Sequence, residues 1–550
     1  MTHVITQSCC NDASCVNVCP VNCIHPGPSE SGFAAAEMLF IDPGVCIDCG
    51  ACLDICPVGA IVADYSLTEK DEAFRELNAR FFQSAEAPRY IPRRADRQMP
   101  GDPGRREKLL VAIVGSGPAG AFAAEYLLDA GVDIAVDMFE RLPVPWGLTR
   151  FGVAPDHPKT KQITDIFERL PDDPRLRLVL ETEVGRDISV SDLTSAYDAV
   201  IFATGALSDR RLGIPGEDLA GSYSATEFAS WYNGHPDFAH RSFDFDTERV
   251  VVIGNGNVAL DVARVLASDI DALRRTDIAD HALDVLASSR VQEVVVVGRR
   301  GPAEAAFTTP ELLGLAASRD FSLQVEPLSD GATARNWAGA TKLDILQKLA
   351  GKAPKGGRTL RLLFQRSPAE ICGEDRVSAI RLVHNRLECG PDGRIVATAS
   401  GQQDILDTGF VLRSVGYAGA AISGLPFDER RGAVPNVGGR VTDPATNGAL
   451  PGLFVTGWIR RGPSGSMGSN RSCAREIVTA LLEDHLAGKL NQRGPASDRL
   501  RQAIARSSGL AHWRAIDRHE RAEGQLVRRP RVKLVHRGDM ARIGAGEPAP

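Results

Sequence analysis

Basic charge is in short supply in this 550-residue sequence: 63 lysines and arginines stand against 70 acids, a formal net charge of -7. A nucleic-acid binder needs a basic face, so that class loses support. Long apolar runs are missing as well. No stretch reaches the length of a membrane span, and the opening Met-Thr-His-Val-Ile-Thr-Gln has neither the basic nor the apolar region of a secretory leader. Aromatics make up only 6%, yet hydrophobic residues reach 43% and charged residues 24%, the balance of a globular chain with well-formed cores. At this length three or four domains of ordinary size are expected. Beyond residue 57 cysteine is scarce: Cys372, Cys389 and Cys473 are scattered and read as packing residues. The remaining nine of the twelve crowd into the N-terminal end without an extracellular disulfide pattern, which suits a reducing compartment and a cytoplasmic location.

Seven of those nine form two frames. Cys46-x2-Cys49-x2-Cys52-x3-Cys56-Pro57 is a complete bacterial-ferredoxin cluster motif, and 37 residues earlier the frame recurs with one change, Cys9-x2-Asp12-x2-Cys15-x3-Cys19-Pro20. In two-cluster ferredoxins the cysteine before proline ligates the other cluster. Cys46, Cys49, Cys52 and Cys19 are therefore expected to hold a 4Fe–4S cluster. Cys9, Cys15 and Cys56 remain for a second, with Asp12 at the fourth corner. A carboxylate is a harder ligand than a thiolate, so this cluster is either 3Fe–4S or an Asp-ligated 4Fe–4S. Cys10 aligns with Ile47 and Cys23 with Ala60, and neither is a ligand by repeat logic. Zinc is the alternative for paired Cys-x2-Cys spacings; the compact, duplicated, proline-closed run favours iron–sulfur.

From about Asp64 to Glu107 the composition turns to charges and prolines and reads as a linker, with one helix around 69–82 from the spacing of Phe74, Leu77 and Phe81. Two strand–glycine–helix units follow. The first is Leu109-Leu-Val-Ala-Ile-Val into Gly115-Ser-Gly117-Pro-Ala119-Gly120, which suits close approach to a pyrophosphate at a helix N-terminus. The next strand ends in Glu140, about twenty residues on, where an acid meets an adenosine ribose. The second unit starts about 140 residues later with Arg249-Val-Val-Val-Ile and Gly254-Asn255-Gly256-Asn257-Val258-Ala259. Its following strand ends in Gly298-Arg299-Arg300-Gly301 with no acid; two guanidiniums there suit the 2′-phosphate of NADP.

At this point the residues match a family. Gly115-Ser-Gly-Pro-Ala-Gly, Pro145-Trp-Gly-Leu148, Gly152-Val-Ala-Pro-Asp-His157-Pro, Gly254-Asn-Gly-Asn-Val-Ala-Leu-Asp-Val-Ala-Arg264, Gly298-Arg-Arg-Gly301 and Gly457-Trp458-Ile-Arg-Arg-Gly-Pro-Ser-Gly465 make residues 109–480 resemble the adrenodoxin-reductase-type ferredoxin–NADP reductases. With the N-terminal ferredoxin fused on, the whole chain resembles the mycobacterial-type ferredoxin/ferredoxin–NADP reductases. The resemblance implies an α+β ferredoxin domain followed by an α/β flavoprotein with two Rossmann-like dinucleotide-binding domains. The expected limits are 1–63 for the ferredoxin, 64–107 for the linker, 108–207 and 411–490 for the two parts of the FAD domain, 208–410 for the NADP domain, and 491–550 for a C-terminal extension. The resemblance also places Leu148 and Val184 at the FAD, Asn255 to Val258 at the NADP pyrophosphate and Glu311 near the nicotinamide-side ribose. Trp458 and Gly465-Ser466-Met467 would stand where flavin and nicotinamide meet, and His157 near the nicotinamide. The family commonly carries a second acid three residues after the Glu311 position. Here Gly314 stands there, a water being the expected substitute, which puts any proton relay through His157 in question.

The expected function is NADPH–ferredoxin oxidoreduction: hydride from NADPH to FAD, then single electrons through the fused clusters to an acceptor such as a free ferredoxin or a cytochrome P450 system. The rival is a non-catalytic electron-input subunit resembling the small subunit of glutamate synthase. Residues 491–550 carry no legible chemistry, and the Arg-rich stretch Leu526–Lys533 reads as a solvated face.

Overall fold

A computed structural model describes residues 2–87, 108–206, 208–328, 333–353, 356–390, 395–465 and 467–547. In the N-terminal segment the strand His3–Ile5 pairs antiparallel with Ile61–Ala63, and Ile24–His25 with Phe40–Ile41. Each cysteine frame opens a five-residue helix, Ser14–Val18 and Ala51–Ile55. Both helices start from a left-handed residue, Ala13 at φ 61 and Gly50 at φ 77, and end on the proline-side cysteine. The helix expected around 69–82 runs Glu72–Phe82, and it buries Phe74, Leu77 and Phe81 against Val4, Ile5, Ile24 and Phe40. Its Asn78 amide donates to the Ile5 carbonyl and accepts from the Ile41 amide at 2.9 Å. The stretch to Phe82 is thus part of the ferredoxin core rather than linker, because its apolar face has a sheet to cover. The rest of the expected linker, 88–107, lies outside the described residues.

The strand Leu109–Val114 lies inside a seven-stranded sheet, between parallel Ile134–Phe139 and Ala199–Phe202. Ala449–Val455 returns more than 240 residues later to pair parallel with Ala199–Phe202, so the first and last stretches build one domain. Helices Pro118–Leu128 and Met467–Leu486 cover one face of it. Inserted between these stretches is a six-stranded, wholly parallel sheet in the order Ser222–Ser224, Phe410–Arg413, Arg249–Ile253, Glu293–Val297, Thr359–Leu363, Ser322–Val325. Its valine runs are buried, as strands covered on both faces must be. The strand Phe410–Arg413 belongs to this sheet, so the crossing back falls past residue 413 rather than at 410. The two crossings run side by side, Ser208–Asp209 paired with Tyr417–Ala418.

The C-terminal region is three helices, Asp498–Arg506, Leu510–Leu526 and Arg537–Gly544. Its basic stretch is not a solvated face throughout. Leu526 and Val527 are exposed, but Arg531 pairs with the buried Glu520 at 2.9 Å and Lys533 with Asp277 at 3.1 Å. Glu520 also pairs with Arg150 and Asp277 with Lys161, so the extension ties the first nucleotide domain to the second through buried charge. The spacing of the basic residues carried no sign of this, because Asp277, Arg150 and Lys161, which complete the pairs, are distant in sequence.

Candidate functional site

A cavity of about 650 Å³ opens between the two nucleotide domains. Its wall includes Gly115, Gly117, Ala119, Glu140, Leu148, Val184, Trp458, Gly465 and Met467, and also Val258 and Asp261 from the second domain. Gly115 sits at φ +102, and a side chain on it would meet the Ala203 carbonyl at 2.6 Å; one on Gly120 would meet the Gly115 carbonyl at 2.1 Å. These two glycines let strand, loop and helix close up, leaving the helix N-terminus at Gly117 and Pro118 facing the cavity. Glu140 accepts from the Ser116 hydroxyl at 2.7 Å and the Leu142 amide at 3.0 Å, which fixes its carboxylate on the wall. Thr149 and Trp458 line the cavity with a buried hydroxyl and a buried indole N–H that have no hydrogen-bond partner among the described residues. A glycine cradle, a fixed acid and orphaned buried donors fit a dinucleotide such as FAD. Sequence reasoning placed Val184 but missed its neighbours Thr182, Glu183, Gly185 and Arg186 and the wall segment 420–423, which carry no motif.

On the second domain Gly254 stands at φ +111, its absent side chain leaving room for the Ser414 carbonyl. Gly256 caps the helix Asn257–Ala267. The Asn257 side-chain Oδ1 accepts from the Thr308 amide at 2.8 Å, and Asn255 packs against Gly298. Arg299 is exposed and Arg300 half-buried, and neither guanidinium has an ion-pair partner among the described residues. Such a pair is open to an anion. Ser466 lies outside the described residues.

Where the domains meet, His157 is set in a buried charge cluster. Its Nε2 lies 3.4 Å from Asp261, 3.7 Å from Glu311 and 2.5 Å from the Arg264 guanidinium. Arg264, quoted above only as a motif letter, also binds Asp156 and Glu311. Burial opposes ionisation of Asp156, but the Arg264 charge beside it wins and holds the carboxyl down to about 2. Burial and Arg264 push the imidazolium of His157 down, while Glu311, Asp261 and Asp156 prevail and leave its pKa raised. Burial is the largest cause that raises Glu311. His157, Asp261 and Glu311 have metal-ligand spacing, but the Arg264 guanidinium fills the place a cation would take. The space beside Gly314, expected to hold a water, is taken by the side-chain amide of Gln7.

The thiols fall into the two expected groups. Cys19, Cys46, Cys49 and Cys52 line one small cavity, with Cys23 also present, its sulfur 3.4 Å from that of Cys19. Cys9, Cys15 and Cys56 lie together, each within reach of the Asp12 charge. Burial pushes Cys9 and Cys52 up to about 12 and so favours their neutral thiols. Asp12 accepts from the Ser14 hydroxyl and pairs with Arg471 at 3.3 Å. Arg471 in turn binds Glu125 at 3.0 Å and lies over the Phe122 ring. The Gly468 amide donates to the Cys10 carbonyl at 2.7 Å, and a methyl on Gly468 would overlap the Asn11 backbone at 2.0 Å. The first cysteine loop is therefore seated directly on the cavity wall at Met467 and Gly468.

Residues 110–300 match the family described as pyridine nucleotide-disulphide oxidoreductase, and residues 39–62 the 4Fe-4S binding domain, which decides the cysteine chemistry against zinc. The chain is 44% identical over 562 residues to "Probable ferredoxin/ferredoxin--NADP reductase" of Mycobacterium leprae, covering 100% of this chain and 99% of that one. It is 45% identical over 457 residues to "NADPH-ferredoxin reductase FprA" of Mycobacterium tuberculosis, covering 79% of this chain and 99% of the relative. The solved structure of Mycobacterium tuberculosis FprA in complex with NADPH has a TM-score of 0.75 at 44% identity, covering 80% of this chain and all of that one.

Proposed function

The chain belongs to the ferredoxin/ferredoxin–NADP reductase family, and on that premise we propose how its residues divide the work of moving electrons from NADPH to ferredoxin. The protein is an oxidoreductase. The rival reading as a non-catalytic subunit loses its basis, since the FprA relative, which matches 79% of this chain over 99% of its own length, is itself named a reductase. When bound, flavin converts a hydride donor into a source of single electrons, and iron–sulfur groups carry these one at a time.

The chain's own residues do the holding and orienting. Gly115 to Gly120 and Glu140 hold the FAD pyrophosphate and ribose, with Leu148, Val184 and Trp458 around the ring system. Asn255 to Val258 receive the NADP pyrophosphate, and Arg299 and Arg300 its 2′-phosphate. His157 and Glu311 stand at the nicotinamide end, and Gly465 with Ser466 and Met467 at the junction of the two rings. Cys19, Cys46, Cys49 and Cys52 hold a 4Fe–4S cluster. Cys9, Cys15 and Cys56 hold a second, three-iron cluster, because the Asp12 carboxylate is already engaged by Ser14 and Arg471. The acceptor is a free ferredoxin or a cytochrome P450 system, and the location is cytoplasmic; no helix of the described residues is long and apolar enough to cross a membrane.

The observation that carries this reading is the seating of the cysteine loop at Gly468 on the same wall that carries the flavin-side residues Met467 and Gly465. Purified chain should reduce ferricyanide and cytochrome c with NADPH, at least about tenfold better than with NADH. Purified, iron-loaded and flavin-loaded chain that turns over neither acceptor would contradict it.

A further inference from the structure

Gly314 is a glycine without a backbone reason. It lies inside the helix Thr309–Ala316, and its φ is not in the left-handed region. A glycine inside a helix costs about 0.5–1 kcal/mol relative to alanine, so its place calls for another explanation. The explanation is space. A methyl at Gly314 would lie 2.3 Å from the Gln7 side-chain nitrogen and 2.6 Å from its carbonyl carbon. Gln7 follows the first ferredoxin strand and reaches across 304 residues of sequence to donate a hydrogen bond to Glu311 Oε2 at 3.3 Å. The same carboxylate oxygen is 3.4 Å from Arg264 and 3.7 Å from His157. Gln7 is thus the ferredoxin segment's own contribution to the charge cluster at the nicotinamide end.

This contact is one of several on the same helix. The Thr309 amide, in its first turn, donates to Glu37 of the ferredoxin segment at 2.7 Å, and the buried Lys342 holds the other Glu37 oxygen at 2.7 Å. Leu313 packs into the ferredoxin core. The helix that carries Glu311 is therefore gripped from the ferredoxin side at its start, on its flank and at Gly314.

We propose that Gln7 is a positioning residue for the NADP site: by filling the space beside Gly314 it orients the Glu311 carboxylate, so that the nicotinamide end is completed by the seated ferredoxin segment. The inference rests on the reading that Glu311 serves the nicotinamide end. It extends that reading by making the electron-carrying segment a structural partner in the hydride step, and it adds no group to the chemistry. Gln7 is not among the residues lining the cavity between the nucleotide domains, and in this proposal it acts through Glu311 alone.

The test uses the full-length holoprotein and measures the limiting rate of flavin reduction at saturating NADPH and at saturating NADH, with NADP+ affinity and thermal stability alongside. Gln7→Ala should slow the limiting rate by about three- to tenfold, by the same factor for both nucleotides, with little change in NADP+ affinity. Gly314→Ala reaches the same contact from the other side and favours the helix, so a well-folded protein with the same slowing is expected. In the double variant the second change should add nothing, since both break one contact. Slowing that multiplies in the double variant, or a loss confined to affinity or melting temperature, would overturn the proposal. Unchanged rates in both single variants while Glu311→Gln slows flavin reduction would overturn the role of Gln7 and leave the reading of Glu311 standing. An unchanged rate in Glu311→Gln would remove that reading and the proposal with it.

Discussion

The two cysteine frames share a helix position and a closing geometry, Cys19 and Cys56 both ending their helices at φ -71 with ψ 115 and 114, yet they face opposite ways. At equivalent register stand Cys10, 5% exposed, and Ile47, 59% exposed. The first frame lies on the FAD-domain core, with Cys10 in that core and Cys9 packed against it, where Cys56, the closing cysteine of the second frame, joins them. The second leaves Cys49, Val45 and Ile55 open to solvent. The repeat thus determines which atoms can hold iron, and the surroundings determine what each site can reach. On the proposed division of work the inward frame receives electrons from the flavin side, and the outward one passes them to the partner.

The largest break in that comparison comes from removing one thiolate on each side. Cys15→Ser and Cys46→Ser should each lose about three to four irons per chain. Only Cys15→Ser should also abolish NADPH-driven reduction of the remaining cluster, followed by EPR in anaerobic samples. Equal behaviour of the two variants would mean that the frames are not ordered.

A smaller effect is expected from spoiling the seat while sparing every ligand. Gly468→Val drives side-chain atoms into the Asn11 backbone, an overpacking worth about 1–3 kcal/mol. Flavin and cluster absorption should persist, while internal reduction of the clusters slows by about tenfold, the rate equivalent of the lower end of that range. Unaltered internal transfer would show that the seat at Gly468 is dispensable.

Arg299→Ala with Arg300→Ala sharpens the comparison by leaving it untouched. The preference for NADPH, at least about tenfold from charge-assisted contacts, should largely vanish in steady-state kinetics, while cluster reduction by NADH matches wild type. Discrimination at the wild-type level would return those arginines to the solvent.

Smallest of all, Asp12→Cys makes the frames alike at every ligand register. About one iron per chain should be gained and the oxidised three-iron EPR signal lost, with only a slight change in melting temperature from giving up the partly exposed Arg471 pair. Persistence of the signal would mean that residue 12 does not face the open corner.

Local pattern made much of this legible. Both glycine loops, the valine strands and the cysteine frames announce themselves through spacing, the resemblance adds Leu148, Val184, Trp458 and Met467, and the structure places these four with Gly115, Gly117 and Glu140 around one cavity. Long-range contacts were not legible. Arg264 reads as the end of a motif until Asp156, 108 residues earlier, and Glu311 converge on it. Gln7 is an ordinary polar residue until a gap beside Gly314 receives it. Lys533 looks solvated until Asp277 is brought to it. Periodicity reports which face of an element is apolar, whereas charge pairs across 100 residues or more depend on how whole domains dock.

Anaerobic single-turnover mixing of the holoprotein with one equivalent of NADPH, followed at flavin and iron–sulfur wavelengths, tests most directly whether the fused ferredoxin receives its electrons within the chain. Flavin absorbance should bleach first and cluster absorbance second, the second phase keeping the same rate when the protein is diluted tenfold. A second phase that slows in proportion to dilution, or clusters that stay oxidised while the flavin is reduced, would contradict it.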